Sequence, residues 1–95
     1  MKTKFVRVLC DVICVQDGDN TQYRVFINQE LFTERTWVWP DNYYIEEAIQ
    51  LDVPMGRYQI RYELVPPTNS VIEMTNIRID FGTARILRNN TVEIY

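Results

Sequence analysis

An all-β fold, an antiparallel β-sandwich of about eight short strands, is what this sequence predicts, and three observations predict it. Apolar and polar residues alternate with a period of two along most of the chain, most cleanly in Arg57-Tyr58-Gln59-Ile60-Arg61-Tyr62-Glu63-Leu64. Turn-forming residues recur at short intervals between the alternating runs. Ninety-five residues, 46 % of them apolar, suit one modest core and leave no room for a second. A single domain over 1–95, of jelly-roll or immunoglobulin-like type, is therefore expected.

The elements follow in order. Residues 2–16 read as a long first strand, with Val6, Val8, Cys10, Val12 and Cys14 on one face. Its other face mixes Phe5, Leu9, Ile13 and Val15 with Arg7 and Asp11, so it too is expected to be partly covered. Asp17-Gly18-Asp19-Asn20 is a dense turn signal, which makes Gln22 to Ile27 the return strand of a hairpin. Asn28-Gln29-Glu30 turns the chain into a strand from Leu31 to Arg35. Residues 43–53 admit two readings. Ile45, Ala48 and Ile49 stand at helical spacing behind Pro40-Asp41-Asn42, whereas strand spacing aligns Tyr43, Ile45, Ile49, Leu51 and Val53 with Glu47 as the one misfit. The strand is preferred. Pro54-Met55-Gly56 introduces the strand of residues 57–65, Pro66-Pro67 ends it, and Val71 to Phe81 forms the next. Asn89-Asn90 divides a last hairpin, Ala84 to Arg88 and Thr91 to Tyr95, whose second strand is expected at a sheet edge.

The alternation carries a definite burial expectation: Tyr58, Ile60, Tyr62 and Leu64 inward, Arg57, Gln59, Arg61 and Glu63 outward. A slip of one residue would invert every position.

Charge and composition narrow the function classes. The net charge of −3 with scattered acids suggests neither a nucleic-acid footprint nor an acidic tail. Eight of the ten basic residues are Arg, the cation favoured where bidentate contacts or stacking hold an interface. Lys2 and Lys4 precede an apolar stretch, but Arg7 and Asp11 interrupt it, and no run approaches the roughly 18 uncharged residues of a membrane span. A soluble protein made in a cytoplasm is expected. Cys10 and Cys14 lie on one strand face roughly 13 Å apart, beyond the reach of a disulfide, which needs Cα atoms within about 7 Å. They read as buried thiols.

Catalytic patterns do not assemble. With no His and a single Ser, Ser70, neither a Ser/His nor a Cys/His pair exists. Glu46 and Glu47 are adjacent, so on a strand they face opposite ways. Gly18, Gly56 and Gly82 are too dispersed for a phosphate loop, and two Cys without His make a poor metal set. No catalysis, cofactor or resident metal is expected.

Three features could carry a binding role. Arg35-Thr36-Trp37-Val38-Trp39-Pro40-Asp41-Asn42-Tyr43-Tyr44 concentrates both tryptophans and two tyrosines beside a proline turn. Arg35, Trp37, Trp39, Tyr43 and Tyr44 are the candidate partner-binding residues, as a protein anchor or a sugar-stacking platform, while the two tryptophans could equally fill the core. Asp17-Gly18-Asp19-Asn20 looks like a fragment of a calcium loop, but the twelfth position, where such a loop needs a bidentate Glu, is Asn28. A plain turn is the simpler reading. The final strand, Thr91 to Tyr95, is the third feature, since an exposed edge can extend a neighbour's sheet.

The run Phe26 to Trp39, with Tyr44-Ile45-Glu46-Glu47 and Pro54 to Leu64, resembles small all-β virion-associated proteins of tailed phages of marine bacteria over about half the chain. The resemblance implies a structural subunit, such as a capsid decoration protein or a head, neck or tail accessory protein. It would be present in multiple copies on a symmetric particle and touch other virion proteins, with neither nucleic acid nor membrane as partner. The same strand and turn pattern is similar to calcium-dependent carbohydrate-binding β-sandwich modules. Those modules cluster Asp and Asn ligands late in the domain, where this chain offers only Asn89, Asn90 and Glu93.

Overall fold

The computed structural model describes residues 2–16, 21–40, 43–66 and 69–95. Among them run eight strands: β1 Lys4–Val15, β2 Gln22–Ile27, β3 Glu30–Thr36, β4 Tyr44–Val53, β5 Gly56–Leu64, β6 Val71–Phe81, β7 Ala84–Leu87 and β8 Thr91–Ile94. They build two antiparallel sheets packed as a sandwich, one of three strands in the order β4-β1-β6 and one of five in the order β3-β2-β5-β8-β7. No helix among the described residues is long and apolar enough to cross a membrane.

Length matching explains the three-stranded sheet. β1, β4 and β6 have 12, 10 and 11 residues, so β1 can pair along nearly its whole length on both sides. The six-residue β2 could not do that for it. This corrects the expected first hairpin: β1 and β2 lie in different sheets, and β2 pairs with β3 and β5 instead. The hairpins that do form are β2–β3, closed across Asn28-Gln29, and β7–β8. Their turns place Asn28, Asn89 and Asn90 at positive φ, where the asparagine side chain tolerates the left-handed region. Asn28 is further tied to β5, its N–H donating to Gln59 O at 2.8 Å while its Oδ1 accepts from Gln59 N–H at 2.9 Å.

The terminal strand is the second correction. β8 lies between β5 and β7 and is not an edge. Val92 and Ile94 explain its place, because both are fully buried and need neighbours on either side, whereas the four-residue β7 serves as the edge. Residues 44–53 form a strand, as preferred, and Glu47 points inward with Ile45, Ile49 and Leu51.

The core is the inner face of both sheets. Val6, Val8, Cys10, Val12 and Cys14 from β1 meet Tyr23, Val25, Ile60, Val92 and Ile94 from the facing sheet, with Ile49 and Leu51 from β4. Each such side chain contributes roughly 1.5 to 3 kcal/mol on burial. In β5 the expected alternation holds: Arg57, Gln59, Arg61 and Glu63 are exposed, Ile60 is buried, and Tyr58, Tyr62 and Leu64 are partly buried against the core. β6 changes face at an irregularity opposite Leu9 to Asp11, where Asn76 has a φ of 52°. At the β6–β7 corner Gly82 has φ +98°, and a Cβ there would stand 2.6 Å from Phe5 O. Only glycine fits this approach.

Candidate functional site

β3 ends at Thr36, so the two tryptophans lie in the connection to β4 and not on a strand. Trp37 is anchored by its N–H, which donates to Thr21 O at 2.8 Å, and its side chain is 1 % exposed. Its indole Nε1–H has no hydrogen-bond partner among the described residues. Trp39 stands edge-on to it at a centroid distance of 5.4 Å and is 40 % exposed. Trp37 therefore fills the core, and a platform of two exposed tryptophans does not form. Tyr43 and Tyr44 are both largely exposed beside Trp39 in sequence, as are Val38 and Pro40. Trp39, Tyr43 and Tyr44 thus remain as surface candidates.

Arg35 has an internal partner. Its Nη1 lies 2.9 Å from Glu47 Oε2, joining β3 of one sheet to β4 of the other. The Glu47 side chain is only 3 % exposed, and it accepts from Tyr62 OH at 2.6 Å and Tyr23 OH at 3.1 Å. Cys10 Sγ lies 3.5 Å from the Tyr62 hydroxyl, and the Tyr23 and Tyr62 rings stack at 5.8 Å. Burial of the phenols, with the Glu47 carboxylate against them, pushes both tyrosine pKa values well above the usual phenol range. Burial likewise raises the Cys10 thiol, so it is not a nucleophile near neutral pH. The cluster saturates a buried carboxylate and holds the two sheets together. Sequence spacing marks Glu47 and Tyr62 as inward positions, but only the sheet order shows that they meet each other and Tyr23.

The two outer faces differ in chemistry. The five-stranded face is an arginine–glutamate lattice: Arg24 pairs with Glu34, Arg61 with Glu63, and Arg57 and Arg85 share Glu93. Arg57, and then Arg85, hold the Glu93 carboxyl below its ordinary range. Arg61 also lies over the Phe26 ring at 4.5 Å. The three-stranded face is apolar and acidic. Phe5, Ile13, Val15, Tyr44, Val71 and Phe81 are exposed on or beside it, with Phe5 and Phe81 in contact at 5.7 Å. Arg7 pairs with Asp80, and Arg78 with Asp11 and Glu46. Asp52 and Glu73 project from the same face, opposite Phe5 and Ile13, with no ion pair among the described residues.

Among the described residues several hollows are open to solvent, including one of about 350 Å³ beside Gln59, Tyr62, Met74 and Asn89. One of about 250 Å³ sits on the three-stranded face between Asp11, Ile13, Tyr44, Glu73 and Thr75. A wider groove of about 740 Å³ separates the β2–β3 turn from the end of β4, floored by Ile27, Leu51, Val53 and Tyr58 and rimmed by Leu31 and Phe32. Asn89 and Asn90 spend their carbonyls on Gln59 Nε2 and Ile60 N–H, while Glu93 is held by arginines. The Asp17-to-Asn20 turn, Asp41 and Asn42 lie outside the described residues. Compared with known protein families, curated proteins and solved structures, the chain matches none.

Proposed function

We propose that this protein is a non-enzymatic structural subunit of a phage particle, a capsid decoration protein or a head, neck or tail accessory protein, that acts through protein–protein contacts. One observation carries the reading: Trp39, Tyr43 and Tyr44, close together in sequence, are all exposed where the chain enters β4, an edge strand of the three-stranded sheet. Exposed aromatics on a fixed scaffold lose little conformational entropy on docking and are frequent anchors of protein interfaces. The resemblance of Phe26 to Trp39 and Pro54 to Leu64 to virion-associated proteins supplies the particle as the partner.

The test is co-purification with intact particles and the copy number found there. Trp39→Ala or Tyr44→Ala should weaken attachment by about 2 kcal/mol where the side chain is a buried anchor. Trp37→Ala is unsuitable for this purpose, because it opens a cavity in the core and costs about 3 to 5 kcal/mol of stability. A glycan array should be blank. A reproducible glycan signal abolished by chelator and by Trp39→Ala, with no particle association, would replace this reading with a carbohydrate-binding module.

A further inference from the structure

The arginine-rich composition and the unlike outer faces have one explanation in common. We infer that copies of this chain associate head to tail, the acidic, apolar outer face of the three-stranded sheet receiving the arginine lattice of the five-stranded sheet of a second copy. This goes beyond attachment to a particle and is testable on the isolated protein.

Charge selects this arrangement over its alternatives. Among the described residues, the three-stranded face sets two arginines, Arg7 and Arg78, against five carboxylates, Asp11, Glu46, Asp52, Glu73 and Asp80, of which Asp52 and Glu73 have no ion pair there. Among the described residues the five-stranded face sets four arginines against three glutamates. A two-fold contact of either face with itself would oppose like net charges. Only the crossed contact opposes unlike ones, and like-charge juxtaposition is what suppresses wrong pairings.

Local chemistry points the same way. The hollow of about 250 Å³ on the three-stranded face presents the Tyr44 ring, the Glu73 and Asp11 carboxylates and the Ile13 side chain. That is what an arginine requires: an apolar wall for its stem, an aromatic face for the guanidinium to stack on, and a carboxylate to accept its hydrogen bonds. On the opposite side of the molecule Arg57 and Arg85 are the most exposed arginines of the lattice, 70 % and 62 % by side chain, and between them they have one carboxylate, Glu93. One positive charge of that pair is unspent. The arrangement places such an arginine in the hollow of the next copy, with Val15 and Val71, the pair next to Ile13 along β1 and β6, as the apolar surroundings. Because the two contacting surfaces are different, the contact is heterologous, and growth continues past a dimer unless the rotation closes a ring.

The experiment is a charge exchange read by sedimentation velocity and light scattering at low and high salt. Asp52→Arg/Glu73→Arg converts the acidic face to four arginines against three carboxylates. Arg57→Glu/Arg85→Glu converts the other face to two arginines against five. All four positions are exposed, but Arg57→Glu/Arg85→Glu also gives up both partners of Glu93, so circular dichroism verifies that each variant is folded, and Arg57→Gln/Arg85→Gln, which removes the positive charge without adding carboxylates beside Glu93, should likewise weaken association. Wild-type protein should self-associate at low salt and dissociate as ionic strength rises through the range where the Debye length falls to about 3–10 Å. Each double variant alone should associate at least about tenfold more weakly. An equimolar mixture of the two, and the quadruple variant by itself, should recover association. Wild-type protein that stays monomeric at low salt and high concentration would overturn the inference. So would loss of association in only one of the two double variants, which would mean a two-fold contact through that face, or failure of the mixture to recover it.

Discussion

Glu47→Gln is the perturbation that most directly interrogates how the sandwich is held together. The carboxylate is buried and takes three contacts, from Tyr62 at 2.6 Å, Tyr23 at 3.1 Å and Arg35 at 2.9 Å. A glutamine has one carbonyl oxygen, so it can accept well from one phenol. Its amide then faces the other phenol or the guanidinium, and the charge that strengthened every contact is gone. A hydrogen bond to a charged group is worth about 1.5 to 3 kcal/mol. The Arg35 contact adds less, about 0 to 1 kcal/mol, because its side chain is 45 % exposed and screened. Losing one phenol bond and most of the ion pair, partly offset by no longer burying a charge, gives an expected cost of about 2 to 3 kcal/mol. Tyr62→Phe should cost about as much, and Tyr23→Phe less, since its bond is longer. Urea denaturation followed by circular dichroism and tryptophan fluorescence measures this, and each kcal/mol should lower Tm by about 4 to 8 °C in a domain of this size. The double variant Tyr62→Phe/Glu47→Gln should fall short of additivity by about 1 kcal/mol. A cost below about 0.5 kcal/mol for Glu47→Gln, or strict additivity, would refute the account of Glu47 as the link between sheets.

Three further outcomes are expected. Because Cys10, Tyr23 and Tyr62 keep their protons in the folded state while an unfolded cysteine ionises at about pH 8.5 and an unfolded tyrosine at about pH 10, the unfolded chain binds fewer protons as pH rises through that range and stability falls. The slope above pH 10 is about 1.4 kcal/mol per pH unit for each of the three groups, and Tyr62→Phe should remove about a third of it; urea midpoints that stay level between pH 9 and about 11 would contradict this. Gly82→Ala should destabilise by at least about 1 to 3 kcal/mol, because φ +98° is strained for any side chain and the new methyl would meet Phe5 O; thermal melts check it, and an unchanged Tm would show that the corner relaxes freely. Cys10 and Cys14, both buried thiols, should resist a thiol reagent in the native protein and react together in denaturant; labelling at the native unfolding-independent rate of an exposed thiol would argue against their burial.

Period-two patterning was enough to place the strands, because a half-buried strand must alternate whatever it pairs with. Hence Gln22–Ile27 and Val71–Phe81 have the boundaries the sequence indicates, and Arg57 to Leu64 face the way their alternation requires. Pairing is a different matter. Which strand lies beside which depends on matching lengths and faces across the whole chain, so the turn signal after β1 suggested a hairpin where the long β1 in fact joins β4 and β6. The same holds for β8, whose buried Val92 and Ile94 claim an interior position that its place at the chain end concealed. Glu47 looked like a flaw in its strand because its partners come from β2, β3 and β5, elements that only tertiary packing brings around one carboxylate. Trp37 and Trp39 are two residues apart and identical in type, and the local sequence cannot divide them: the end of β3 at Thr36 and the bond from Trp37 N–H to Thr21 O send one into the core and leave the other at the surface. The sequence alone determined the strands, the reduced thiols' common face and the aromatic segment; the tertiary structure decided the sheet order, the buried link at Glu47 and the unlike chemistry of the two outer faces, because each of these is a sum over strands distant in sequence.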